Sequence, residues 1–277
     1  MRVLSSLAID ILVMPEMAFA GYHFADADAV APHAERVEEG RRVGGADDVG
    51  GADDAGDAES SAGGGANCGP AATWCARWAA ALRCIVVAGF ARRGEEHAGA
   101  PRFYNSQLAV SPEGLVLAVY DKHFLYVTDK TWATPGKSFR ALELPGLGIK
   151  VGLGVCMDIN PREFEAPYDA YELANYHKEA SVDLILFSSA WCNRHPDDPP
   201  EAAEAPNAAE TIAYWVHRLV PLVGGERRVY LVCSDRVGEE EGTQFCGSSC
   251  VLSLQEPAIV GALDAERSDV LVCDCVL

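Results

Sequence analysis

Three short apolar runs in this chain each end on a different reactive group. Asp-Ile-Leu-Val-Met-Pro-Glu-Met (residues 10–17) closes on Glu16. Leu-Ala-Val-Tyr-Asp-Lys-His-Phe-Leu (117–125) carries Lys122, and Val-Gly-Leu-Gly-Val-Cys-Met-Asp (151–158) delivers Cys156. Runs this short, closed by turn-forming or charged residues, read as strands buried in a sheet. Further strands are expected over 84–90, 182–188, 229–233, 247–254 and 270–276. Ser111-Pro112-Glu113-Gly114 is a turn signature joining 103–110 and 115–120 as a hairpin. Helical periodicity marks 71–82, 172–180 and 207–219. In the last of these Ile212, Trp215, Val216 and Leu219 form a core-facing stripe. Strands alternating with helices predict one α/β domain over residues 1–277, with mixed sheets covered by helices.

Residues 25–70 differ in kind. Gly-Gly-Ala-Asp-Asp-Val-Gly-Gly-Ala-Asp-Asp-Ala-Gly-Asp (44–57) is a near-repeat with almost nothing to bury. The whole segment is expected to be a disordered surface insertion. Residues 193–206 are expected to form a Pro-rich acidic loop.

The formal charge is −19, from 22 basic and 41 acidic residues. Nucleic acid and anionic membranes both select basic surfaces, so neither is expected as a partner. No apolar run has the length of a bilayer-spanning helix. None of the 10 cysteines forms Cys-x-x-Cys. Cys246 with Cys250, and Cys273 with Cys275, lack a second pair at zinc spacing, so no metal or other cofactor is expected. With no secretory signal, most are read as buried thiols in a reducing, cytoplasmic setting.

A strand end is a good place for a thiol nucleophile. Taken singly, Cys156, Glu16 and Lys122 each have an ordinary structural reading, and it is their joint occurrence that carries weight. Other machineries fit less well. Gly154-Val155-Cys156-Met157-Asp158 lacks the second glycine of a nucleophile elbow. His123 beside an apolar run is a structural histidine, and no phosphate-binding or dinucleotide fingerprint is present.

Glu, Lys and Cys in that chain order resemble the triad of the nitrilase, or carbon–nitrogen hydrolase, superfamily. Cys-Met-Asp-Ile-Asn-Pro (156–161) and Phe-Glu-Ala-Pro (164–167) are similar to the fungal-type branch that deamidates N-terminal Asn and Gln of proteins. Ser-Ser-Ala-Trp (188–191), Cys-Ser-Asp-Arg-Val-Gly (233–238) and Phe-Cys-Gly-Ser-Ser (245–249) are similar to the same branch. The resemblance implies a four-layer α-β-β-α sandwich. It also implies that the family's first strand and part of its first helix are missing ahead of the Glu16 segment. Its implied chemistry makes Cys156 the nucleophile, Glu16 the proton shuttle and Lys122 an oxyanion partner, with opposite charges depressing the thiol pKa. The products would be Asp and Glu N-termini, feeding an N-degron degradation route. The implied substrates are proteins or peptides beginning with Asn or Gln, whose amino group would meet Asp158, Glu165 or Asp129. At the family's supporting second glutamate stands Asp129, one residue closer to the lysine and one methylene shorter. A small-molecule amidase, acting on ω-amides or ureido compounds, and an inactive scaffold are the alternative readings.

Overall fold

The structure is a computed structural model and describes residues 8–44, 68–144, 146–193 and 205–277. Two sheets stack face to face. The first has the order β1 (Ile11–Val13), β2 (Ile85–His97), β3 (Ala100–Val110), β4 (Val116–Asp121), with β1 parallel to β2 and the rest antiparallel. In the second, β6 (Ile149–Val155), β7 (Leu184–Ser189) and β8 (Tyr230–Asp235) run parallel. Antiparallel β5 (Arg140–Leu144) flanks them on one side, and β11 (Cys250–Ser253) and β12 (Ala258–Ala262) on the other. A small hairpin, β9 (Glu239–Glu240) with β10 (Thr243–Gln244), lies outside both sheets.

Period-two alternation sorts the side chains into layers. Ile85 and Val87 of β2 face the second sheet and meet Val151, Leu153, Val155 and Leu186 in the central core. Val86, Ala88 and Phe90 face the other way, onto α2 (Pro70–Leu82). On the second sheet, Ile185 and Phe187 of β7 turn outward onto α3 (Glu172–Glu179) and α4 (Ala208–Arg218). The result is the expected α-β-β-α sandwich. In α4, Ile212, Trp215 and Leu219 are buried in the core as the periodicity predicts. Asn207 caps this helix, its Oδ1 accepting from Ala209 N at 3.0 Å and Glu210 N at 3.4 Å.

Two expectations need correction. Residues 26–43 are not disordered. They form α1 (Ala27–Val30) and bury Val30, Val37 and Val43. Glu35 bridges to Arg92 on β2, and its carboxylate accepts from Ala71 N (2.6 Å) and Ala72 N (3.2 Å) at the start of α2. An anion at a helix N-terminus satisfies donors that the helix itself cannot. The Gly/Ala/Asp composition that motivated the expectation belongs to 45–67, outside the described residues, as is most of the 193–206 loop. The second correction concerns 270–276, which join no ladder; the outer strand is β12 instead. Leu271, Cys273 and Cys275 pack onto the central core while Val270, Val272 and Val276 are exposed, so the strand-like alternation is present without strand pairing.

Candidate active site

All three reactive groups emerge at neighbouring strand ends, where the two sheets meet. The β1 segment continues into Glu16, held against β2 by Met14 N to Val87 O (2.8 Å), Gly89 N to Pro15 O (3.1 Å) and Ala18 N to Gly89 O (3.0 Å). Gly89 makes that approach possible: a Cβ there would stand 2.5 Å from Glu16 Cα and 2.6 Å from Met17 N. Lys122 follows β4 directly. Cys156 follows β6, and its φ of +43° puts the nucleophile candidate in left-handed backbone. Left-handed backbone costs a non-glycine residue roughly 1–2 kcal/mol and breaks the strand's alternation, which re-aims the thiol.

Glu16 and Lys122 are fully buried. Lys122 Nζ donates to Glu16 Oε1 at 2.7 Å and to Asp129 Oδ2 at 2.7 Å. Asn105 Nδ2, from β3, closes the ring by donating to Glu16 Oε1 (2.6 Å) and Asp129 Oδ1 (2.9 Å). Ala190 N, just beyond β7, donates to Glu16 Oε2 at 2.9 Å. Ser188 Oγ donates to Met14 O at 2.8 Å and accepts from Gln107 Nε2 at 2.8 Å, tying the two sheets together beside the site.

Burial pushes the Glu16 carboxyl up, against the pull of the Lys122 ammonium and the Asn105 donor. For Lys122, burial favours the neutral amine, but the charges of Asp129 and Glu16 outweigh it and hold the amine protonated well above the ordinary lysine range. The Cys156 thiol goes the opposite way from expectation. Burial and the Glu16 charge push it well up, and the single Lys122 does not offset them. The shift favours the protonated thiol over the thiolate.

The expected amine-binding acids separate. Asp158 is buried and fully engaged. Its Oδ1 accepts from His123 N (3.0 Å) and Phe124 N (2.8 Å), and its Oδ2 from Tyr120 Oη–H (2.7 Å) and Val155 N (2.9 Å). Burial pushes its carboxyl up to about 6 while those donors pull it down. It pins the turn after Cys156 to the Lys122 loop and has no oxygen left for an amine. Asp129 is likewise committed, to Lys122, Asn105 and Tyr126 N (2.9 Å). It is the support for the lysine, in place of the longer glutamate. Glu165 is exposed, in the turn that follows the Cys156 segment.

The carbon-nitrogen hydrolase family model matches residues 2–277. The chain belongs to this family. As a carbon–nitrogen hydrolase it acts on non-peptide amide-type C–N bonds, and the fold above is the family's. It is 29% identical over 279 residues to the protein N-terminal amidase of Schizosaccharomyces pombe, covering 96% of this chain and 86% of that protein. It is 24% identical to the protein N-terminal amidase of Saccharomyces cerevisiae, covering 66% of this chain and 37% of that one. A crystal structure of an N-terminal amidase with an Asn-Glu-Ala peptide superposes with a TM-score of 0.72 at 17% identity, covering 94% of this chain and 87% of that one.

The sequence of this hydrolase does not mark Asn105 or Gly89 as site residues, and it shows Asp235 only as part of the Cys-Ser-Asp-Arg-Val-Gly run, with no role attached. Asn105 is an ordinary polar residue within a strand, and nothing local marks it. Gly89 interrupts an apolar run, a sign of close backbone approach. Asp235 ends β8 just as Cys156 follows β6, and that strand-end position was its available signal.

Proposed function

We propose that this hydrolase is a protein N-terminal amidase that converts N-terminal Asn and Gln to Asp and Glu with release of ammonia. The observation that carries the proposal is the buried Glu16–Lys122 pair, braced by Asn105 and Asp129, beside a thiol on strained backbone. The similarity to the fission yeast amidase over nearly the whole chain supports the substrate class.

In this reading Cys156 Sγ attacks the side-chain amide carbon while Glu16 takes the thiol proton. The raised Glu16 carboxyl and the protonated resting thiol fit that transfer. The tetrahedral oxyanion is stabilised by the Lys122 ammonium and by the Met157 N–H, the first peptide donor after the nucleophile. Glu16 gives its proton to the leaving ammonia, which leaves a thioester. It then draws a proton from water, whose oxygen attacks the thioester, and returns the proton to sulfur as the carboxylic acid departs. Amide plus water becomes acid plus ammonia, and the chain is regenerated. The new acidic N-terminus would pass to N-degron-dependent degradation. The 10 unpaired thiols fit a reducing, cytoplasmic location.

The test is ammonia release from a peptide beginning with Asn, compared with its Nα-acetylated form and with free asparagine. The proposal predicts strong preference for the free-amine peptide. Equal turnover of the acetylated peptide, or preference for the free amino acid, would leave a general or small-molecule amidase.

A further inference from the structure

Asp235 is a buried carboxylate with acceptor capacity to spare. It is 4% exposed. Its Oδ1 accepts from Trp191 N at 2.8 Å and from Arg236 N at 3.0 Å. Its Oδ2 is buried and meets no donor at full hydrogen-bond geometry among the described residues. Ser189, its register partner across the parallel β7–β8 pair, holds its buried hydroxyl beside this carboxylate, a contact that draws the Asp235 carboxyl down against burial without reaching full hydrogen-bond geometry. Register partners in parallel strands project to the same face, so carboxylate and hydroxyl form one buried polar pair with acceptor capacity left for a further donor.

The pair adjoins the catalytic cluster. Consecutive amides serve both carboxylates: Ala190 N donates to Glu16 Oε2, and Trp191 N donates to Asp235 Oδ1. The end of β6, which presents Cys156, is two strands from Asp235, through Val155–Ser188 and Ser189–Asp235. At ~4.8 Å per strand the separation is about 10 Å. A terminal Asn has its amine three bonds from the amide carbon under attack. With an ~2.8 Å charge-assisted hydrogen bond beyond the amine, the sulfur-to-carboxylate span is roughly 8 Å. A terminal Gln adds one bond.

No resident cation answers this carboxylate among the described residues. The Arg236 guanidinium is turned to Glu240 Oε2 (2.8 Å) and Met17 O (3.1 Å). Lys122 is committed to Glu16 and Asp129. A buried carboxylate without a counter-ion is costly, and a cation with several N–H donors would relieve it.

Resting on the amidase reading above, we infer that Asp235 Oδ2, with Ser189 Oγ, binds the α-ammonium of the substrate's first residue and thereby restricts the enzyme to chain termini. The burial that pushes the Asp235 carboxyl well up would be offset by a bound ammonium. Asp158 accepts from four donors, and Asp129 from three with the Lys122 ammonium among them, so neither is free for this role.

The experiment compares kcat/KM for a peptide beginning with Asn and for the same peptide capped with succinamoyl in place of Asn. That cap keeps the side-chain amide and lacks only the amine. Wild type should prefer the free-amine peptide by about a hundredfold or more. In Asp235→Asn, a neutral isostere, that ratio should fall to within about threefold of unity. A retained ratio would show that Asp235 is a structural acid and overturn the inference, leaving the amidase reading intact. A wild type with no preference would instead remove the amidase reading, and the inference with it. Should Asp235→Asn fail to fold, Ser189→Ala provides the second measurement. Its ratio should fall at least about fivefold, and an unchanged ratio overturns the assignment.

Discussion

Lys122 Nζ sits 2.7 Å from Glu16 Oε1 with both side chains fully removed from solvent, although 106 residues separate them in the chain. Removing one member of such a pair strands the charge of the other. Lys122→Met would leave both Glu16 and Asp129 buried without a cation, at a cost of about 3–5 kcal/mol. Thermal unfolding should show a drop on the order of 10 °C, together with loss of activity. Glu16→Gln keeps an acceptor for the lysine and removes the base. It should be folded and lose about 10²–10⁴-fold in kcat.

Cys156 combines the proposed nucleophile with a left-handed backbone, and two substitutions separate them. Cys156→Ala and Cys156→Gly should both be inactive in ammonia release. Glycine tolerates the φ of +43° and alanine does not, so Cys156→Gly should be the more stable of the two by about 1 kcal/mol in urea melts. Residual turnover above a few percent of wild type in either variant would remove Cys156 from the mechanism.

Gly89 tests whether the close approach of β2 to the Glu16 segment matters. Gly89→Ala places a methyl 2.5 Å from Glu16 Cα, and backbone rather than a flexible side chain must yield. Displacing a catalytic group by about 1 Å costs on the order of a hundredfold in rate. Steady-state assays should show kcat falling by that order, and an unaffected kcat would mean that the Glu16 loop is free to shift.

His177 on α3 lies fully buried against Gly152 of the nucleophile strand, and burial pushes its pKa down to about 4. An unfolded histidine titrates near ~6.5. Between these values the unfolded chain binds a proton that the folded chain refuses, so stability falls as pH drops through that window. Asp158 acts in the opposite sense. Its folded pKa of about 6 lies above the unfolded value, so the folded state holds the extra proton and gains stability as pH falls. Comparing wild type with His177→Leu isolates the histidine. Between pH 7 and pH 5 wild type should lose about 2 kcal/mol more than the variant in chemical denaturation. Parallel pH profiles would show that His177 titrates normally.

Asn105 braces Glu16 and Asp129 through a single amide nitrogen. Asn105→Asp would replace that donor with a third buried carboxylate, and it should destabilise far more than Asn105→Leu, which adds no charge. Equal melting temperatures for the two variants would argue that Asn105 does not face the carboxylates in solution.

Local pattern was enough to determine where the strands and helices lie and which reactive groups stand at strand ends. Burial of β-branched runs and the 3.6-residue stripe of α4 are nearest-neighbour effects, legible along the chain. The order Glu16, Lys122, Cys156 and its family resemblance were legible for the same reason. Tertiary structure alone decided the partners. Asn105 reaches Glu16 across 89 residues, and Trp191 meets Asp235 across 44, because sheet stacking and parallel register bring those strand ends together. It also decided the roles of the acids. Asp158 and Asp129 look available in sequence, yet buried donors hold both, while Asp235, in sequence only one residue of the Cys-Ser-Asp-Arg-Val-Gly run, keeps acceptor capacity. The direction of the Cys156 shift is not legible from the implied cluster of opposite charges, because charges at unknown distance cannot be weighed against burial. Residues 26–43 were misread because the partners of Glu35, the amide donors at the start of α2, lie more than thirty residues further along the chain. A sequence displays which groups are present; depth from solvent and the third-dimensional neighbour set what each of them can do.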